Sequence, residues 1–497
     1  MPSENSSSLL RLLRRIGPGA AGLVLLWAVV FAALVGLGTY RPFFQTIHAN
    51  DPVGYYAWAR SLLFDGDLQF ENEFREMNKH TDTRLVGWAD PDAPRTATDH
   101  VPNVFAVGSG LLWLPFLAAI HPLAPELGGR QNGYSQPYHM AVFLAISFYG
   151  LLGLLFTYGM LRAWFSRAVS AIAAAGGWAG SPVFFYTFPD AAMSHANSFF
   201  AVALFLFAWS RVRQWDGRRA HWGWLLVGLA LGLAILVRWQ NLTFALVPAV
   251  DLLWPMNRQR ILRLALCGWG TILGFIPQMI AWQVVYGSPV TMPQGPDFIH
   301  WLEPAFGMLL FSRWYGLISW TPLCGVGIAG LFFCPKEHRR VYLSLGIALL
   351  AQLYVNACLH EAGWTFGMRR MSNCAPIFAA GVAALLWRVP GRLAYKAALV
   401  GVFVFWNFLF VLQFGGLIDG VYIDRAFAQL AAEQGITVEE LVDLEVLPDG
   451  EPFDPYMYAY THAFPRGGGP SWQQMYGDKA IVVHMLASKV LGLPSPK

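Results

Sequence analysis

Apolar runs of about twenty residues recur along most of the chain, and short basic clusters interrupt them. A helix of that length crosses a bilayer core, and in lipid each backbone polar group must be bonded within its own segment. The pattern therefore predicts an all-α polytopic membrane protein. Composition agrees, with 56% of the residues hydrophobic and only 13% charged. A soluble domain carries about a quarter charged residues. The formal net charge is +4, and the clustered Lys and Arg side chains report membrane topology rather than nucleic-acid binding. Cys267, Cys324, Cys334, Cys358 and Cys374 form no CxxC and lie in or near apolar segments, so neither a zinc site nor a disulfide framework is expected.

Charge orders the spans. Basic clusters fall at Arg162–Arg167, Arg211–Arg219, Arg258–Arg263, Lys336–Arg340 and Arg388–Lys396. If all five are cytoplasmic, two spans separate each from the next. Apolar pairs fit that spacing: 168–186 with 194–210, 222–237 with 240–255, 262–285 with 313–334, and 341–358 with 371–387. A first span near 20–40, another at 137–161 and a last at 395–417 bring the expectation to about eleven. The stretch 103–121 holds Gly108, Gly110 and Pro115. It is expected to lie in or dip into the interface, because a crossing there would put every later basic cluster outside. Residues 1–418 then form the membrane domain, with the N-terminus cytoplasmic and 419–497 as an exoplasmic extension.

This topology gathers the out-of-place polar residues on the exoplasmic side. The first outer loop, 41–102, opens with Asn50-Asp51-Pro52. Asp before Pro starts helices, with Asp capping and Pro in the first turn. Asp51 is thus either a plain cap or a general base held by its own helix. Tyr55, Trp58, Ala59, Leu62 and Leu63 share one face, which suits a helix resting on the bilayer surface. Asp65-Gly66-Asp67 ends it as a turn.

In the second outer loop, Asp190 either caps the next span or joins Asp51, and His195 is either a satisfied core histidine or a site residue. Arg238 joins two spans with almost no loop. It either snorkels to the interface or pairs a lipid phosphate. The adjacent Arg369 and Arg370 on the outer side suggest a local anion, and Trp364 and Phe366 suit a sugar ring or an isoprenoid chain. Weaker signals are Asp297, His300, Trp301 and Glu303.

In their order along the chain these features resemble the GT-C glycosyltransferases. This integral-membrane class includes bacterial protein O-mannosyltransferases and the aminoarabinose transferases of lipid A. The matching elements are Asn50-Asp51 with Tyr55-Tyr56, Ser61 to Leu68, Pro189 to His195, Gly316 to Pro322, and Trp364 to Arg370. Roughly residues 20–418 are covered.

The resemblance implies transfer of a sugar from a polyprenyl-phosphate donor to an exoplasmic acceptor at a bacterial inner membrane. Asp51 matches the catalytic position and Asp190 a second acid. Asn50, Tyr55, Tyr56, His195, Arg238, Trp364, Arg369 and Arg370 become substrate-binding candidates. Asn50 stands where several members carry the first acid of a pair, so Asp51 is a single base. No cofactor is required, and a divalent metal, which some members of the class use, has no ligand cluster to demand it. The rival expectation is a flippase for lipid-linked sugars or a non-catalytic assembly protein.

Overall fold

The computed structural model describes residues 18–36, 47, 50–77, 84–253, 256–359 and 365–414, and in the tail 431–432, 435, 437, 440, 472–477, 479 and 482–483. Among these the chain is helical and carries no strand. Six helices are long and apolar enough to cross a membrane. They are α1 (Pro18–Gly36), α5 (Gln136–Leu161), α8 (Gly217–Val237), α10 (Arg258–Tyr286), α12 (Arg339–Ala357) and α14 (Leu393–Leu412). Each answers one of the expected spans.

The other five expected spans differ in form. One is the continuous helix α7 (His195–Val212). The 168–186 stretch is α6 (Arg167–Ala179) followed, after a break at Gly180–Pro182, by Val183–Thr187. The 240–255 stretch is a 3₁₀ segment, Trp239–Ala245, leading into α9 (Leu246–Leu253). The 313–334 stretch breaks before Pro322, where α11 (Pro322–Gly330) begins. The 371–387 stretch is a 3₁₀ segment, Arg369–Cys374, leading into α13 (Ala375–Arg388). Broken backbone at membrane depth needs protein partners for its freed polar groups.

Close helix contact is set by glycine. In α8 Gly228 and Gly232, and in α10 Gly270 and Gly274, face one another so tightly that each occupies the place of a side chain. A Cβ added at Gly274 would sit 2.7 Å from the Leu229 carbonyl oxygen. This is the small-xxx-small crossing of membrane helices, where backbones meet because no side chain intervenes.

The basic clusters collect at one end. Arg211 donates to the Gly159 carbonyl at 2.8 Å, and Arg263 pairs with Asp216 at 3.4 Å. Arg213 and Arg340 share the buried Asp251 at 2.8 and 3.4 Å, with Trp209 donating to it at 3.1 Å. Arg388 donates to the Phe333 carbonyl at 3.3 Å.

The other end carries the first loop. Its helix α2 (Asn50–Arg60) departs from the expected surface-lying helix. Every residue from Pro52 to Arg60 is buried, while Leu62 and Leu63 are exposed. Neighbours cover both faces: α3 (Glu71–Met77) and α4 (Gly108–Ile120) pack on it. Gly110 of α4 lets the two backbones meet, since a Cβ there would lie 2.8 Å from the Tyr55 carbonyl. The Asp65-Gly66-Asp67 turn forms as expected. Gly66 has φ +71° and closes the helix by donating to the Ser61 carbonyl. Helix α4 answers the 103–121 stretch; its 13 residues span about 20 Å, short of a bilayer core of about 30 Å.

Candidate functional site

Helix α2 begins at Asn50, which places Asp51 in its first turn rather than at the cap. The carboxylate has a distant partner instead: Arg369 Nη1 lies 3.8 Å from Asp51 Oδ2. Asp51 keeps 33% of its side chain exposed and Arg369 18%, so the pair borders an opening. Next to Asp51, the Asn50 Oδ1 is buried and has no hydrogen-bond partner among the described residues.

One helical turn further, Tyr55 reaches the same region. The Ser194 hydroxyl donates to the Tyr55 hydroxyl at 3.0 Å. Arg238 Nη1 donates to the Ser194 oxygen at 3.0 Å and meets His195 Nδ1 at 3.2 Å. A guanidinium only donates, so His195 Nδ1 is the acceptor and the ring proton of the neutral imidazole sits on Nε2. The imidazole rests 4.6 Å from the Tyr186 ring. Burial pushes the Tyr55 hydroxyl above its ordinary range, with Arg238 pulling the other way. It stays protonated and serves as a donor.

Three arginines converge here. Arg369 and Arg370 both lie close enough to act electrostatically on Arg238 and on His195. Arg370 Nη1 donates to the Leu359 carbonyl at 2.7 Å. Among the described residues Asp51 is the carboxylate paired with this group, and clustered guanidinium groups suit an anion. Each arginine stands at the start of a 3₁₀ segment that opens a half-helix, a position fixed by backbone geometry rather than by side-chain reach.

Asp51, Tyr55, His195, Arg238, Arg369 and Arg370 are thus brought together from four separated stretches of sequence. Asn50 adjoins them. Asp190 sits half-buried in the turn leading to Ser194, its N–H donating to the Phe185 carbonyl at 3.0 Å. Tyr56 does not face the group. Its side chain leaves α2 on another side, fully buried, and its hydroxyl donates to the Gly133 carbonyl. Trp364 lies outside the described residues.

Phe366 corrects the expectation of a ligand contact. It is fully buried, stacked on Phe185 at 4.4 Å and edged by Trp320 and Phe414 at 5.5 and 5.7 Å. The loop after α10 closes over the same end: His300 donates to the Cys358 carbonyl at 3.0 Å and Gln294 to Val104 at 2.7 Å. In the tail, Trp472–Gly477 packs on α14, where Tyr476 meets Trp406 at 6.0 Å and donates to the Ser319 carbonyl at 2.9 Å.

Two features escaped sequence reasoning. Ser194 bridges Tyr55 and Arg238. The second is a charged cluster at the far end of α2. There Arg60 pairs with Asp65 and, at 2.8 Å, with the buried Glu73, and stacks 4.3 Å over the Tyr134 ring. It edges a cavity of about 540 Å³. Burial lifts the Glu73 carboxyl to about 7 against the pull of Arg60. Among the described residues, no group of three or more His, Cys, Asp or Glu is placed to hold a metal ion.

No protein-family model matches this sequence, and no curated protein does. Solved structures of an Archaeoglobus fulgidus oligosaccharyltransferase are similar at low level. One, in complex with zinc and sulfate, is 15% identical with a TM-score of 0.40; the match covers 95% of this chain and 57% of that one. A second, AglB with an inhibitory peptide and a dolichol-phosphate, is 15% identical at TM-score 0.40, covering 96% and 60%. A third, tethered to an acceptor peptide, is 14% identical at 0.40, covering 96% and 59%. This chain therefore spans about three fifths of their length.

Proposed function

We propose that this protein is an integral-membrane glycosyltransferase of the GT-C class. It moves a sugar from a polyprenyl-phosphate carrier to an exoplasmic acceptor at a bacterial inner membrane. The observation that carries the reading is the Asp51 carboxylate set 3.8 Å from Arg369, with Arg238 and Arg370 behind it. A base and an anion site adjoin at the end of the molecule opposite the basic clusters. By the positive-inside rule, that end is exoplasmic.

The chemistry is a single inverting displacement. The acceptor oxygen or nitrogen attacks the anomeric carbon and its proton passes to Asp51. The bond from that carbon to the phosphate oxygen breaks, and its electron pair leaves with the phosphate. The arginines stabilise the developing charge. Phosphate already activates the sugar, so no nucleotide is needed. Tyr55 and His195 Nε2 supply hydrogen-bond donors, Asn50 an acceptor, and Asp190 is the second acid that orients the acceptor. Within the class the resemblance is to bacterial protein O-mannosyltransferases and aminoarabinose transferases.

Purified protein incubated with a radiolabelled polyprenyl-phosphate sugar and a crude envelope extract tests the reading. Label moved to a new acceptor supports it. Label that crosses a vesicle with its phosphate bond intact identifies a flippase instead.

A further inference from the structure

Arg238 and the Arg369–Arg370 pair sit on separate 3₁₀ segments, whose hydrogen bonds are weaker than those of an α-helix. Their mutual placement fixes how the three guanidinium groups stand relative to one another.

Beneath the arginines the segments are joined by a chain of side-chain amides. Asn373 Nδ2 donates to Asn241 Oδ1 at 2.7 Å. Asn241 Nδ2 in turn donates to Ser198 of α7 at 2.9 Å and to the Ala234 carbonyl of α8 at 2.7 Å. Gln352 of α12 accepts from Asn373 at 3.3 Å and donates to the Gln240 carbonyl at 2.8 Å. Asn241, Gln352 and Asn373 are all buried. Asn241 follows Arg238 by one 3₁₀ turn, and Asn373 stands in the same relation to Arg370. A shift in the amide pair is therefore passed directly to the guanidinium groups.

We propose that Asn373, through its amide bond to Asn241, is a positioning residue that sets the separation of Arg238 from Arg369 and Arg370 to match the phosphate of a polyprenyl carrier. This rests on the glycosyltransferase reading for the identity of the anion. An apolar residue at 373 would leave Asn241 Oδ1 buried without this donor and would remove the direct tie between the two segments.

The test uses the full chain in nanodiscs with undecaprenyl phosphate as the probe. Asn373→Leu is expected to weaken binding about tenfold, because small misplacements of charged groups are costly. Once an acceptor is known, the donor KM rises and kcat falls with it, because the same arginines bind the carrier and stabilise the leaving phosphate. The decisive arm is Asn373→Leu added to Arg238→Gln/Arg369→Gln/Arg370→Gln, where no further loss is expected, because the residue acts only through the arginines. If Asn373→Leu does not fold, Asn373→Ser is read the same way. Unchanged binding in the folded single variant, or a full additional loss in the arginine-free background, overturns the proposal. A wild-type protein that does not bind undecaprenyl phosphate overturns the glycosyltransferase reading itself, and this proposal with it.

Discussion

The Asp51 carboxylate and the Arg369 guanidinium stand 3.8 Å apart, one from α2 and the other from the 3₁₀ segment before α13. Both are partly open to solvent. In the proposed mechanism this carboxylate accepts the acceptor's proton and this cation holds the leaving phosphate. Arg369→Gln is expected to lower transfer about a hundredfold, the usual cost of losing one preorganised charge donor. Arg369→Lys restores part of it, since a point charge cannot reproduce the planar fork. Single-turnover rates with a labelled lipid-linked sugar measure both.

Glu73 predicts a pH effect away from this site. Its carboxyl is lifted from an ordinary 4.5 to about 7, mainly by burial, with Arg60 opposing and Asp65 adding to the rise. Between those values the folded protein holds a proton that the unfolded chain has lost. Stability therefore falls as pH rises from 4.5 to about 7, by roughly 3 kcal/mol at most, and this contribution is flat above. Melting temperatures across that interval should slope downward for the wild type. The slope should flatten for Glu73→Gln.

The membrane class and six of the spans were legible because a bilayer imposes a length and a polarity that any sequence must display. Asp51, Arg238 and Arg369 were legible because ionisable groups at the ends of apolar runs are conspicuous. Tyr56 was not separable from Tyr55, since adjacency in sequence hides the roughly 100° turn between neighbours on a helix. Phe366 and the buried face of α2 misled for a related reason. An aromatic residue near an interface reads the same whether lipid, ligand or protein covers it. Ser194 and the Asn241–Asn373 pair gave no signal, because their meaning lies in partners from distant segments.

Phe366 separates packing from ligand contact. Surrounded by Phe185, Trp320 and Phe414, Phe366→Ala should cost about 3 to 5 kcal/mol of stability through the cavity it leaves. Affinity for undecaprenyl phosphate should change little in the protein that remains folded. Thermal melting and lipid binding on one preparation distinguish the two effects.

Gly110 tests how the first loop positions Asp51. A Cβ there would lie 2.8 Å from the Tyr55 carbonyl and 3.1 Å from the Trp58 Cβ, so α2 must move. Gly110→Val is expected to reduce kcat about tenfold or more while phosphate binding by the arginines persists.

The most direct measurement is transfer by Asp51→Asn. Asparagine keeps the size of the side chain and removes its basicity. The account predicts a folded protein that binds undecaprenyl phosphate about as well as the wild type, yet transfers sugar at least about a hundredfold more slowly. A folded Asp51→Asn protein with full transfer activity would contradict it.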